Sequence, residues 1–256
     1  MPSNRIKGDI KIKALILAAG YATRLYPLTR DYPKPLLKVR GKPVIDYIVD
    51  SLSKSKAIEE IIVVTNSKFI GKFKAWRRGL KLSKRISLVD DCTKSNKDRL
   101  GAIGDIGFVL KNKRIKEDLL VVGGDNLFSG SIREFISAAL KNKPNMTIAA
   151  YRLKDKKDAN KYGVLKVGRG NRVIDFQEKP ANPKTNLVAM CLYYIPKEQL
   201  SLISLYLKPK KSKADATGKY IDWLRKRVDI YCHLFKGIWY DIGDYKYLNK
   251  AEKSFK

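Results

Sequence analysis

Short apolar runs rich in β-branched residues alternate, over the first half of the chain, with segments whose apolar positions recur every three or four residues. The first pattern suits buried strands and the second amphipathic helices. Strands are predicted at 14–17, 60–65, 85–89, 119–122 and 147–151, and helices at 44–53, 68–78, 99–110 and 132–141. In the last helix Ile132, Phe135, Ile136, Ala139 and Leu140 fall on one face. Such alternation predicts an α/β fold, a Rossmann-like, mostly parallel sheet flanked by helices. The pattern changes after Asn160. Segments 163–167 and 172–177 read as a hairpin around Gly168-Arg169-Gly170-Asn171, and 187–195 as a further strand. Helices near 197–206 and 219–227, a strand at 229–235 and a closing helix at 245–255 complete the chain. The stretch 208–213 reads as a mobile basic loop, and no internal repeat is present.

Composition narrows the field. The 256 residues suffice for a sizeable core. No apolar run approaches the length of a bilayer span, and the opening MPSNRIKGDIKIK lacks the apolar stretch of a signal peptide, so a cytoplasmic protein without a membrane partner is expected. Cys92, Cys191 and Cys232 are too dispersed for a metal pattern or a disulfide framework. The one histidine, His233, lies in a predicted strand, which argues against histidine-based catalysis. The formal charge of +29 is spread along the chain with no recognisable nucleic-acid module. We read it as a lysine-rich surface whose field draws in anionic substrates, not as a nucleic-acid footprint.

Two segments carry chemistry. The strand before Gly20 ends in a tight turn, which exposes backbone N–H groups at the carboxyl edge of a sheet, and Arg24 and Lys34 follow closely. N–H donors beside fixed cations suit a polyphosphate. The second segment, Leu119-Leu120-Val121-Val122-Gly123-Gly124-Asp125-Asn126, brings an acid to the end of an apolar strand. A carboxylate there is a natural Mg²⁺ ligand, since that ion shares its ligands with substrate phosphates.

The run Leu17-Ala18-Ala19-Gly20-Tyr21-Ala22-Thr23-Arg24-Leu25-Tyr26-Pro27-Leu28-Thr29, followed by Pro33-Lys34-Pro35-Leu36-Leu37, resembles the signature of the sugar-1-phosphate nucleotidyltransferases, such as glucose-1-phosphate thymidylyl- and uridylyltransferases. The family's second loop glycine is Ala22 here, and alanine is strained if that position needs positive φ. Three further elements appear in the family's order: Gly124-Asp125-Asn126, the pair Tyr162-Gly163 with Glu178-Lys179-Pro180, and Trp239-Tyr240-Asp241. The resemblance implies one nucleotidyltransferase domain over 1–256, with a nucleotide-binding half at about 13–155 and a sugar-phosphate half with the closing helix at about 156–256. It leaves no room for the C-terminal left-handed β-helix of longer members. It implies Arg24, Lys34 and Lys179 as catalytic cations, with Leu17, Ala18, Ala19, Gly20, Asp91 and Gly101 at the nucleotide. It implies Asn126, Tyr162, Gly163, Glu178, Lys179, Tyr193 and Trp239 at the sugar phosphate, and Asp125 and Asp241 as ligands of Mg²⁺.

The implied reaction is attack by a sugar 1-phosphate oxygen on the α-phosphorus of a nucleoside triphosphate, with pyrophosphate leaving. The attacking phosphate is already anionic, so no general base is required. Many relatives read the base with a glutamine, where this chain has Asp90-Asp91. A carboxylate only accepts hydrogen bonds, from N3–H of uracil or thymine or from the amino group of cytosine, so a pyrimidine nucleotide is favoured. Cys191 stands near a glycine of the thymidylyl members, which leaves the sugar open. The rivals are a cytidylyltransferase acting on a phospho-alcohol and a non-catalytic regulator that binds nucleotide-sugar. The oligomeric state, a homo-oligomer included, is open.

Overall fold

A computed structural model describes residues 11–208 and 217–255. The first ten residues, and 209–213 of the expected basic loop, lie outside the described residues. The strands are β1 (Ile12–Leu17), β2 (Lys38–Val39), β3 (Lys42–Pro43), β4 (Ile58–Thr65), β5 (Arg85–Asp90), β6 (Asp118–Gly123), β7 (Asn126–Phe128), β8 (Met146–Arg152), β9 (Gly163–Val167), β10 (Val173–Glu178), β11 (Leu187–Ile195), β12 (Ile230–Leu234) and β13 (Trp239–Asp241). The helices are α1 (Val44–Ser53), α2 (Ile70–Arg78), α3 (Ala102–Lys113), α4 (Ile132–Lys141), α5 (Leu200–Leu207), α6 (Thr217–Leu224) and α7 (Tyr245–Ser254).

A nine-stranded sheet runs β10-β9-β11-β6-β1-β4-β5, with β8 branching from β11 and β12 pairing with β8. The strands β6, β1, β4 and β5 are parallel, whereas β11 is antiparallel to β6, β8 and β9. The parallel strands are apolar on both faces because both faces are covered. Ile12, Ala14 and Ile16 of β1 pack under α1, α2 and α4, while Leu15 faces the layer of α3, α5 and α6. The pairing of β11 with β8 is interrupted between Ala189 and Tyr193, where Cys191 takes φ 53°. That bulge separates the part of β11 that meets β9 from the part that meets β6.

The predicted helix 99–110 starts three residues late, because Gly101 sits at φ 78° and breaks the helical path. The helix predicted from residue 68 starts at Ile70, where the Asn66 side chain accepts from Phe69 N–H at 3.0 Å. The ribbon of β7 and β13 was invisible in the sequence, since three-residue strands show no periodicity.

Ala22 adopts φ 47°, ψ 43°, the left-handed region that the departure from the family glycine brought into question. That conformation costs an L-residue ~1–2 kcal/mol, partly offset by the flexibility glycine would add to the unfolded chain. Ala22→Gly should therefore stabilise the fold by about 0.5–1 kcal/mol, read as a higher denaturant midpoint at unchanged slope. A lower midpoint would mean that the left-handed turn is unstrained.

At the opposite end of β6, buried Asp118 accepts from Lys143 Nζ at 2.9 Å, from Lys197 N–H at 2.9 Å and from the Tyr194 hydroxyl. Burial opposes its charge, but these donors outweigh it and hold the carboxyl below its ordinary value of 3.8. The unfolded chain thus binds the proton more readily, so this contribution is complete above about pH 5 and fades as pH falls below about 4. Asp118→Asn should cost about 1–3 kcal/mol at neutral pH, and the gap to the wild type should close in acid. A gap independent of pH would exclude a charge-based contribution.

Candidate active site

The site assembles where β1 and β6 end side by side, with Leu17 opposite Gly123. Gly124 N–H then donates to Leu17 O at 2.9 Å. A Cβ at Gly124 would lie 2.7 Å from that same oxygen, so only glycine lets the two strand ends meet this closely. The chain emerges at Asp125, facing the loop after β1. The ribbon supplies the second acid: Asn126 pairs with Asp241 across β7 and β13, and Ile242 N–H donates to Asp125 O at 3.0 Å. Two acids 116 positions apart are thereby held on adjacent backbones.

Lys34 Nζ contacts Asp125 Oδ2 at 2.5 Å, and the Lys34 side chain is only 15% exposed. Burial works against the Lys34 charge, but Asp125 and Asp241 outweigh it and raise its pKa. Asp241 is pushed up to about 7, first by burial and then by the charge of Asp125, with Lys34, Arg24 and Lys179 pulling the other way. Burial and the Asp125 charge together disfavour an ionised Asp241 despite the nearby cations, and a divalent cation at the two acids would offset both. Among the described residues no cluster holds three or more acid, His or Cys ligands. A pair of acids suits Mg²⁺, which takes one or two carboxylates and completes its shell with water and substrate phosphates.

Two cavities meet at this cluster. One, of about 430 Å³, is lined by Leu17, Ala18, Ala19, Gly20, Arg24, Lys34, Asp91, Gly101 and Asp125, which gathers every residue expected at the nucleotide. The other, of about 190 Å³, is lined by Asn126, Tyr162, Gly163, Glu178, Lys179, Tyr193, Trp239 and Asp241, all expected at the sugar phosphate or metal. Arg24, Asp125 and Cys191 line both.

The local partners refine this picture. Asn126 Oδ1 accepts from Trp239 Nε1 at 2.6 Å and its amide reaches Gly123 O at 3.3 Å, so much of its capacity is spent fixing the ribbon and the Trp239 ring. Tyr162 and Tyr151 flank that ring at centroid distances of 5.3 and 5.4 Å. Gly163 leaves room for Phe176, whose ring would lie 2.3 Å from an added Cβ. Glu178 is raised by burial, with Lys179 and Lys219 opposing. Lys179 is 61% exposed and held at φ 46° by its N–H to Tyr162 O at 3.0 Å. Asp90 and Asp91 part company. Ser67 Oγ donates to both Asp90 oxygens, at 2.9 and 3.0 Å, while Asp91 faces the larger cavity. The sequence reading missed Asn96, Arg99 and Asp105 in the larger cavity, and Met190, Thr217 and Tyr247 in the smaller. Asp105 was legible only as one polar residue within an apolar helical period.

A family model described as "Nucleotidyl transferase" matches residues 13–256. A protein of Sulfolobus acidocaldarius, provisionally named a mannose-1-phosphate guanyltransferase, is 31% identical over 246 residues, covering 93% of this chain and 62% of its own. Of two archaeal bifunctional proteins named GlmU the chain spans 51%. The fold matches a UDP-glucose pyrophosphorylase complexed with UDP-glucose, with TM-score 0.78, 22% identity and coverage of 95% and 97%. It also matches a Bacillus anthracis structure, provisionally named a glucose-1-phosphate thymidylyltransferase and complexed with sucrose, with TM-score 0.76, 23% identity and coverage of 94% of each chain. Among the described residues no helix is long and apolar enough to cross a membrane.

Proposed function

This chain belongs to the nucleotidyl transferase family, and on that premise we propose that it transfers a nucleotidyl group, a pyrimidine one, from a nucleoside triphosphate to a sugar 1-phosphate. The observation that carries the reading is the junction of a larger and a smaller cavity at the cluster of Arg24, Lys34, Asp125 and Asp241. The larger cavity takes the triphosphate and the smaller the acceptor.

An acceptor phosphate oxygen forms a bond to the α-phosphorus, the bond from that phosphorus to the β-phosphate bridge breaks, and pyrophosphate carries the electron pair away. Arg24 and Lys34 bind the triphosphate from the loop side and stabilise charge developing on the α-phosphoryl group. Lys179 holds the acceptor phosphate in line, and Glu178 accepts from sugar hydroxyls. Trp239, fixed by Asn126, walls the sugar pocket. Asp125 and Asp241 would hold Mg²⁺, which when bound supplies charge neutralisation between the two phosphates.

A pyrophosphate-release screen tests this: each triphosphate against a panel of sugar 1-phosphates and phospho-alcohols. A pyrimidine triphosphate with a sugar 1-phosphate should give the highest kcat/KM. Turnover only with a phospho-alcohol and CTP would transfer the assignment to that rival, and nucleotide-sugar binding without turnover would favour the regulator.

A further inference from the structure

The first turn of α6 is built into the smaller cavity, although the sequence reading gave that helix no part there. Thr217 lines the cavity, and its Oγ1 accepts from the Tyr193 hydroxyl at 3.3 Å. The next residue, Gly218, is buried against Glu178 and Phe176. A Cβ at Gly218 would stand 1.8 Å from Glu178 Oε2, 2.8 Å from the carboxyl carbon and 2.8 Å from the edge of the Phe176 ring. Two side chains expected at the sugar phosphate, Tyr193 and Glu178, thus meet consecutive residues of one helix.

Nothing in the backbone asks for glycine at 218. The residue is helical and has no positive φ, and glycine is a poorer helix former than alanine. What glycine provides is room for a carboxylate. The Glu178 backbone is fixed by pairing with Gly163 across β10 and β9. Its Oε1 lies 3.9 Å from Lys179 Nζ, beyond hydrogen-bond distance, so that ammonium does not pin the carboxyl. The helix is the stiffer partner. Tyr220, Ile221 and Leu224 are buried in the core, and the Tyr220 ring packs against Tyr206 and Trp223. A methyl group at 218 would therefore push aside the tip of Glu178 before it moved α6.

Resting on the sugar 1-phosphate reading above, we infer that Gly218 is a positioning residue for Glu178. By withholding a Cβ from the first turn of α6, it seats that carboxylate where it meets a hydroxyl of the acceptor. It thereby governs which sugar 1-phosphates are used, without touching the sugar itself. A carboxylate aimed at a hydroxyl rejects an acceptor that lacks it, because the acid is then left without its donor.

The test compares the wild type, Gly218→Ala, Glu178→Ala and the double variant. It reads kcat and KM with the best sugar 1-phosphate and with its monodeoxy analogues, equilibrium binding of acceptor and triphosphate separately, and the denaturant midpoint. Gly218→Ala should raise the acceptor KM by roughly 10- to 100-fold and leave triphosphate binding within about twofold. It should also lose discrimination against one deoxy analogue, the same one that Glu178→Ala ceases to reject. The double variant should match Glu178→Ala in acceptor KM, since the two changes act through one carboxylate. If Gly218→Ala fails to fold, a double variant that folds and matches Glu178→Ala supports the inference, and failure of both overturns it. A double variant worse than Glu178→Ala would place the damage at Phe176 and overturn it too. So would an unchanged acceptor KM in Gly218→Ala, or a wild type that takes only phospho-alcohols or binds no sugar 1-phosphate. Coupled effects on acceptor binding without turnover would support the positioning role and refute the transferase reading. Additive effects with full turnover would do the reverse.

Discussion

Asp125→Asn and Asp241→Asn are each expected to lower kcat by about 10²–10³-fold, with KM for either substrate much less affected. Asparagine keeps the shape and removes the charge, so the loss would measure charge rather than packing. The backbone bonds that join Ile242 to Asp125, and Asp241 to Asn126, involve no side chain and survive both substitutions. The stabilities should diverge. Asp125 is the close partner of a Lys34 side chain that is 15% exposed, so removing its charge leaves a cation poorly compensated and should lower the denaturant midpoint. Asp241 is opposed by Asp125, so Asp241→Asn relieves repulsion and should leave the midpoint equal or higher. A variant that is firmer and nearly inactive is what a functional acid gives and a structural one does not. Wild-type turnover in excess chelator would remove the metal from the account.

Lys34→Ala and Lys179→Ala are expected to fail in different ways. Lys34 lines the larger cavity and contacts Asp125, so its loss should lower kcat/KM for the triphosphate by about 10²–10³-fold. Lys179 lines the smaller cavity from a strand end, where its ammonium lies 3.9 Å from Glu178 Oε1 and its 61% exposure leaves it accessible to an incoming phosphate. Its loss should raise the acceptor KM by roughly 10- to 100-fold and leave triphosphate binding near the wild-type value. Equal effects of both variants on both substrates would refute this division of labour. Lys179→Arg would test geometry as well as charge, since a planar fork replaces a compact ammonium.

Most of the sheet was legible because its strands are apolar runs bounded by turn residues, and helices such as α1 and α4 show an unbroken 3.6-residue period. The loop from Leu17 to Lys34 was legible because glycine, arginine and Pro-Lys-Pro each leave a local mark. What stayed hidden is non-local. The β7–β13 ribbon places Asp241 beside Asn126 through pairing across more than a hundred residues, and nothing in either short segment announces its partner. Asp105 occupies a polar position between Ile103 and Ile106, which reads as an exposed helix face until α3 is seen placing it on the cavity that Asp91 also lines. Cys191 looks like one more apolar strand residue, and its left-handed backbone appears only where β11 changes partners.

That change of partners has a bearing on descent. The two cavities that meet at Cys191 share only Arg24, Asp125 and Cys191 among their described linings. Drift in the segment around residues 91–105 can therefore alter one specificity while the walls around Tyr162, Glu178 and Trp239 remain as inherited, and the reverse holds equally. On the proposed division of roles, a lineage built this way can try a new donor without giving up its acceptor, one segment at a time. The proposed chemistry draws on both sides, with Lys34 from the larger cavity and Lys179 and Asp241 from the smaller grouped around the shared Arg24 and Asp125.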